Sequence, residues 1–400
     1  MSIQFERTLQ PKSGGWVENW RDRVRAGDLG LLPVILALIV IWVIFESVNG
    51  NFLSGRNLSN LTLQITEIGM LGIGETFILL LGEIDLSIAA VSGVAAAVLV
   101  LLSNAGINPW ICIIAAILTG VIIGGFQGIW VTMIGVPAFI VTLAGSLGYQ
   151  GILLAFLGST GTVPIFSHTL LGIAASYIPA WAGWIVALIA VVLYTASLIL
   201  VQRGRRARNL SFLSLRSIAL RCAVVVVVAA VVVGVLNSYR GFPVAGLILL
   251  AFVVLFSFVT QSTVFGRHIY AVGGNKEAAR RAGINIRKIR IAIFTLSGAM
   301  GAIGGIIGAS RLGSASPASG GGDLLLDSIA AAVIGGTSLF GGRGSIWNAL
   351  AGAFVIGSVE NGMDLLSAPS STKYIVEGGI LLIAVTIDTI TRNRRRTAGR

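Results

Sequence analysis

Runs of about 20 apolar residues recur along the whole chain, each long enough at a rise of about 1.5 Å per residue to cross the ~30 Å hydrocarbon core of a bilayer. Twelve such runs can be read, over 29–48, 61–81, 86–104, 109–134, 137–158, 180–201, 218–236, 244–260, 291–311, 324–341, 346–361 and 374–391. Inside lipid a backbone must satisfy its own hydrogen bonds, and a run of this length does so as a helix. The mean hydropathy of +0.92 and a charged fraction of 11% leave little room for a soluble domain. The expected fold is therefore all-α, a polytopic membrane protein of about 12 transmembrane helices occupying 29–391. A polar tail, 1–28, precedes them and a basic tail, 392–400, follows. The first apolar run is too long for a signal-peptide core and lacks a small-residue cleavage site, so no signal peptide is expected.

The basic residues orient the helices, because Lys and Arg stay on the cytoplasmic side of a membrane. With the N-terminus inside, 24 of the 28 Lys and Arg fall on inner segments. Only Arg56, Arg240, Arg311 and Lys373 fall outside. Both termini are therefore expected in the cytoplasm. The net charge of +12 is read as this bias against a lipid surface and not as a nucleic-acid footprint. The 52 glycines are read as close helix packing. Gly120, Gly124 and Gly128 form one small-residue ridge, and the pairs Gly301/Gly305 and Gly304/Gly308 form two more. Cys112 and Cys222 sit in or beside apolar runs, and neither a disulfide nor a metal site is expected of them.

One stretch breaks the pattern. GRHIYAVGGNKEAARRAGINIRKIR, 266–290, carries seven Lys/Arg and one Glu within a cytoplasmic loop at 261–290 that holds no helix of spanning length. Asn275 is a good N-cap, Lys276 to Ala282 are strong helix formers, and Glu277 and Arg280/Arg281 sit where the helix dipole favours them. Gly283 stands where a left-handed residue ends a helix, and Asn285 caps the next one. The stretch reads as a short pinned helix on the cytoplasmic face. It is either a docking surface or simply a well-capped loop.

Chemistry carried by the chain itself is hard to find. No G-x-x-x-x-G-K-[ST] loop occurs. The nearest candidate, Gly336 to Arg343, puts Gly342 at the lysine position and reads as a turn. There are two histidines, His168 and His268, and no HExxH or G-x-S-x-G. No catalytic residue, metal or bound cofactor is expected, which argues against a polytopic membrane enzyme. Ionisable residues in membrane spans are costly and default to functional candidates. Gln64 and Glu75 point within about 20° of each other on a helical wheel, with Glu67 about 60° to one side. This stripe either lines a solute pathway or ties helices together by a hydrogen bond or ion pair. Gln127, Tyr149 and Gln150 are further candidates for a polar path. Glu83 and Asp85 sit at a turn, with Asp85 a plausible cap. Asp323 and Asp327 open the tenth run on the outer side, either as N-terminal dipole partners or as contacts for solute or a delivering protein.

Three motifs in order carry a family resemblance. GGNKEAARRAGI (273–284) resembles the coupling loop of bacterial ABC-importer permeases of the ribose/xylose/galactoside class. SRLGSASPASGGGDLLLDSIAAAVIGGTSLFGGRGS (310–345) is similar to their most recognisable block, and LGEIDLSIAAVSG (81–93) to their G-x-DLS segment. The resemblance covers about 30–390. VENGMDLL (359–366) and the SRLG…SP…GG segment lean toward xylose-type members. It implies a ten-helix core with the coupling loop after the sixth helix. Here the loop follows the eighth, so 180–236 looks like an inserted pair whose second helix, VVVVVAAVVVGV, looks lipid-facing.

The resemblance also implies partners. These are an ABC ATPase subunit that holds ATP and Mg, a periplasmic sugar-binding protein, a second copy in a homodimer, and the lipid of the bacterial inner membrane. The transported solute would be a monosaccharide, xylose or another pentose. Gly273, Gly274, Asn275, Glu277, Ala278, Ala279, Arg280 and Gly283 would couple to the ATPase. An ion-coupled secondary sugar transporter is the alternative. It would leave the capped basic helix unexplained and would normally show repeated halves.

Overall fold

The computed structural model describes residues 32–158, 161–208 and 214–397. The expected tail 1–28 lies outside the described residues, as do 398–400 of the tail 392–400 and 209–213 of the Arg-rich inner loop. Fifteen α-helices carry the described chain. They are α1 Leu32–Val48, α2 Gly55–Leu80, α3 Ile88–Asn104, α4 Pro109–Ile129, α5 Ala138–Leu157, α6 His168–Ala175, α7 Ala180–Ala207 and α8 Leu215–Asn237. After them come α9 Val244–Ser262, α10 Val264–Gly274, α11 Lys276–Arg281, α12 Ile286–Leu312, α13 Gly322–Ile334, α14 Ile346–Leu365 and α15 Ser370–Thr397. Each of the twelve apolar runs overlaps one helix of this set, and eleven of those helices are 17 residues or longer. Seven of the described helices are long and apolar enough to cross a membrane. This is an all-α polytopic membrane protein.

Capping residues set many of the helix starts. Ser54 accepts from Asn57 N at α2, Asn108 from Trp110 N at α4, and Thr263 from Gly266 N at α10, each occupying one of the four backbone N–H groups a helix start leaves free. α2 and α12 form the centre, wrapped by α3, α4, α9, α13 and α14. The glycine ridge of α4 lies flat on α12. A Cβ at Gly120 would run into the Gly298 carbonyl and one at Gly124 into the Phe294 carbonyl, so the two backbones pack without side chains between them. α7 and α8 pack chiefly on each other, and most of the apolar side chains on them are exposed.

Contacts between helix termini define two ends of the bundle. At one end two-residue strands pair antiparallel, Val163–Pro164 with Ser314–Ala315 and Tyr177–Ile178 with Phe242–Pro243. There Asn237 Nδ2 also donates to Ala180 O at 3.2 Å, and Asn49 Nδ2 to Leu365 O at 3.3 Å. At the other end Gly342 N donates to Leu80 O at 2.9 Å, Tyr270 Oη to Gly344 O at 2.9 Å, and Arg290 pairs with Glu83. Following the chain through α1 to α15, these ends alternate as the charge bias requires. The first is labelled the outer end and the second the inner, after the orientation expected from the charge bias.

Several details depart from expectation. The tenth apolar run is helical for only 13 residues, about 20 Å, which falls short of a crossing. Its remainder, 335–345, is a loop in which Gly336, Gly341 and Gly342 hold positive φ. Such backbone is tolerated at depth only when buried in protein, and this loop packs against Leu80 and Gly273–Gly274. Two short helices were not anticipated, α6 and the 11-residue α10. The N-cap position of α3 is held by Ser87, and Asp85 stands two residues before it. Its Oδ1 accepts from Ser87 N at 2.8 Å and from Ser87 Oγ at 2.6 Å, while its Oδ2 accepts from Ser297 Oγ at 3.1 Å on α12.

Candidate functional site

Near the outer end, a cavity of about 270 Å³ opens among α2, α3, α12, α13 and α14. Gln64 and Glu67 reach it from α2, Arg311 from the last turn of α12, Asp323 and Asp327 from α13, and Glu360 from α14. Glu67 Oε2 accepts from Arg311 Nη2 at 3.2 Å, with the two side chains 13% and 27% exposed. Gly308 makes that pair possible, because a Cβ there would strike the Glu67 carboxylate. Gln64 Oε1 accepts from Asn361 Nδ2 at 3.0 Å, and Asn361 Oδ1 accepts from Asn57 Nδ2 at 2.7 Å, so α2 and α14 are joined by an amide chain. Four carboxyl groups and one guanidinium thus surround one space. Asp327 is 3% exposed and receives no hydrogen bond from the described residues.

The sequence-derived stripe divides here. Gln64 and Glu67 line the cavity, but Glu75 does not. It lies eleven residues further along α2, about 16 Å toward the inner end, and is 0% exposed. Neither of its carboxyl oxygens has a geometrically sound hydrogen-bond partner among the described residues, and Asp85 is the charged group that acts on it. Gln127 belongs to that inner polar layer, with Nε2 donating to Ser87 Oγ at 2.7 Å, and Tyr149 sits beside it. Gln150 holds the outer loop, donating from Nε2 to Pro317 O at 2.9 Å. The six side chains therefore fall into an outer cavity, an inner polar layer and one loop tether. Of the two outer acids, Asp323 is exposed in the first turn of α13 and Asp327 is buried one turn on. Both line the cavity.

Arg311 and Glu360 were missed as site residues. Arg311 counted only toward the outer basic residues, and Glu360 only as part of a motif. An ionisable residue within an otherwise apolar helix was the available signal for Glu360.

At the inner end, α10 and α11 form the knob. Asn275 Oδ1 accepts from Ala278 N at 3.0 Å, and Glu277 pairs with Arg280 at 3.2 Å in full view of solvent. Ala278 is exposed and Ala279 is turned inward. Gly283, at φ 80°, ends α11, and Asn285 Oδ1 accepts from Lys288 N at 3.1 Å to start α12. Gly273 lies so close to the Leu80 carbonyl that no side chain would fit, and Gly274 lies against Gly342. The knob is thus seated on α2 and on the loop after α13.

Residues 57–385 match the family model described as the permease component of the branched-chain amino acid transport system. The chain belongs to this permease family. It is 38% identical over 391 residues to the xylose transport system permease protein of Escherichia coli (strain K12), covering 96% of each chain. It is 30% identical over 363 residues to the ribose import permease protein of Bacillus subtilis (strain 168), covering 90% of this chain and 94% of that one. It is 31% identical over 380 residues to the L-arabinose ABC transporter permease protein of Azospirillum brasilense, covering 94% and 93%. No solved structure matches it. These relatives are named as sugar permeases, and the chain shares their family as a permease component.

Proposed function

We propose that this chain is the transmembrane subunit of an ATP-driven importer of a monosaccharide, a pentose such as xylose, in the bacterial inner membrane. A periplasmic binding protein delivers the sugar to the outer end, at Asp323 and Asp327. The solute enters by Gln64 and Glu67 and descends past Glu75, Gln127 and Tyr149, with Gln150 holding the outer loop. A cytoplasmic ATPase subunit, carrying the ATP and Mg, seats the knob of Gly273, Gly274, Asn275, Glu277, Ala278, Ala279, Arg280 and Gly283. The chain works as a homodimer with both termini inside. Residues 29–391 form the permease domain, with 180–236 an inserted helix pair facing lipid and 261–290 the coupling loop.

The observation that carries this reading is the placement of both devices on one rigid element. α12 begins directly after the knob and ends, 27 residues and roughly 40 Å later, at Arg311 in the cavity wall. Motion of the knob is therefore motion of the cavity wall, which is what rigid-body alternation needs. The cavity also bears on the solute. A branched-chain amino acid would bring an ammonium that the acids could receive but also a carboxylate, and the single guanidinium is already paired to Glu67. A polyol brings no charge to repel.

Co-purification of the ATPase with wild type, and its loss in the double variant Glu277→Lys/Arg280→Glu, tests the docking. Accumulation of sugar by the chain alone, driven by an ion gradient, would instead support a secondary transporter.

A further inference from the structure

Asp327 and Arg311 share an unusual condition. Asp327 is 97% buried at the cavity wall, yet no described residue donates to it. Arg311 commits Nη2 to Glu67, while its buried Nε–H has no acceptor among the described residues. Upward of 90% of buried polar groups find a partner, and leaving one bare costs more than a hydrogen bond is worth. Asp327, unpartnered among the described residues and lining this space, points to a polar occupant of it.

The surroundings narrow its chemistry. The walls offer donors, from the Arg311 guanidinium and from the Gln64 amide, whose oxygen is already engaged by Asn361. They also offer acceptors, from Asp327, Glu360 and Asp323. A hydroxyl both gives and takes a hydrogen bond, and a polyol meets such a mixed wall with neither a charge nor an idle group. No three acids or histidines among the described residues stand close enough together to hold a metal ion. The volume of about 270 Å³ holds roughly nine waters at ~30 Å³ each, or one monosaccharide with a little room. Tyr374 stands at the mouth, more than half exposed, where a ring can lie against a sugar face.

We propose that this cavity is a saturable sugar-binding subsite of the permease itself, in which Asp327 and Arg311 hold hydroxyls of one monosaccharide, so that the chain takes part in selecting what it transports. The inference rests on the importer reading above. It adds that the channel recognises its solute after the binding protein has released it.

The test is equilibrium binding of labelled D-xylose to the full-length chain with its ATPase in lipid nanodiscs, the binding protein being absent. Wild type binds the sugar saturably. Asp327→Ala weakens binding about tenfold, the loss expected when a buried hydrogen-bonding partner is removed, and Asp327→Asn loses less. Should the Asp327 variants fail to assemble with the ATPase, Tyr374→Phe and Tyr374→Ala carry the test, with the alanine variant alone expected to lose several-fold in affinity. No saturable sugar binding, in a complex that still imports sugar when the binding protein is added, overturns the subsite and leaves the importer reading intact. Binding of a monovalent cation that sugar does not displace also overturns it. A chain that neither retains the ATPase nor imports any sugar overturns both.

Discussion

Arg290, in the second turn of α12, and Glu83, in the hairpin between α2 and α3, form an ion pair of 2.5 Å with side chains 15% and 14% exposed. It joins the helix that begins at the knob to the hairpin that carries Asp85. Because Asp85 also accepts from Ser297 of α12, hairpin and helix are held at two points about seven residues apart. The inner polar layer therefore moves with α12.

Arg290→Gln leaves Glu83 charged and poorly solvated. We expect a loss of about 3 kcal/mol, at the low end for a buried pair deprived of one partner. The double variant Glu83→Gln/Arg290→Gln recovers a substantial part of it, because neither charge is then stranded. Thermal unfolding of the purified protein measures both. Transport per ATP hydrolysed falls in the single variant, while ATPase binding persists.

Gly308→Ala places a methyl group where the Glu67 carboxylate sits. Glu67 is driven off Arg311 at little packing cost, because the methyl group meets only the far end of its flexible side chain. Sugar uptake falls while co-purification of the ATPase is unchanged, because the knob lies at the other end of α12. Uptake by the Gly308→Ala complex at wild-type rates would show that the Glu67–Arg311 pair has no part in transport.

Much of this architecture is legible in the sequence. The twelve apolar runs find their helices because hydrophobic length is a local property, and the knob is legible because caps act over three or four residues. Asn275, Gly283 and Asn285 do what their positions announce. The cavity is a different matter. A helical wheel gives an angle about one axis, so it groups Gln64 with Glu75, but it says nothing about which neighbours stand at each height. Arg311 meets Glu67 across 244 residues, and only packing brings them together. The apolar run 324–341 continues straight through Gly335 and Gly336, which hides the early end of α13.

The glycine ridge supplies an internal control. Gly124→Ala drives a methyl group into the Phe294 carbonyl, whereas Gly151→Ala on α5 meets nothing within 4 Å. We expect the first to lower the thermal midpoint through about 1–3 kcal/mol of overpacking. The second is neutral or slightly stabilising, because alanine is the better helix former. Equal midpoints for the two would contradict the backbone-to-backbone packing of α4 on α12.

The knob can be loosened without touching its exposed charges. Asn275→Ala removes the acceptor for Ala278 N and costs about 1 kcal/mol. Gly283→Ala forces a left-handed conformation at φ 80° on a residue with a Cβ, at roughly 1–2 kcal/mol. Both variants should reach the membrane in normal amounts and bind the ATPase more weakly, and the double variant should be the weakest. Pulldown against a titration of the ATPase reads the effect.

The central claim, a solute channel driven through a cytoplasmic knob by a separate ATPase, is tested most directly by reconstitution. Labelled pentose is offered to proteoliposomes containing this chain, with the ATPase on the knob side and the binding protein on the other. Uptake should require ATP and all three proteins, and should vanish with Glu277→Lys/Arg280→Glu. Sugar accumulation that is independent of ATP and of the ATPase, in liposomes holding this chain alone, would contradict the claim.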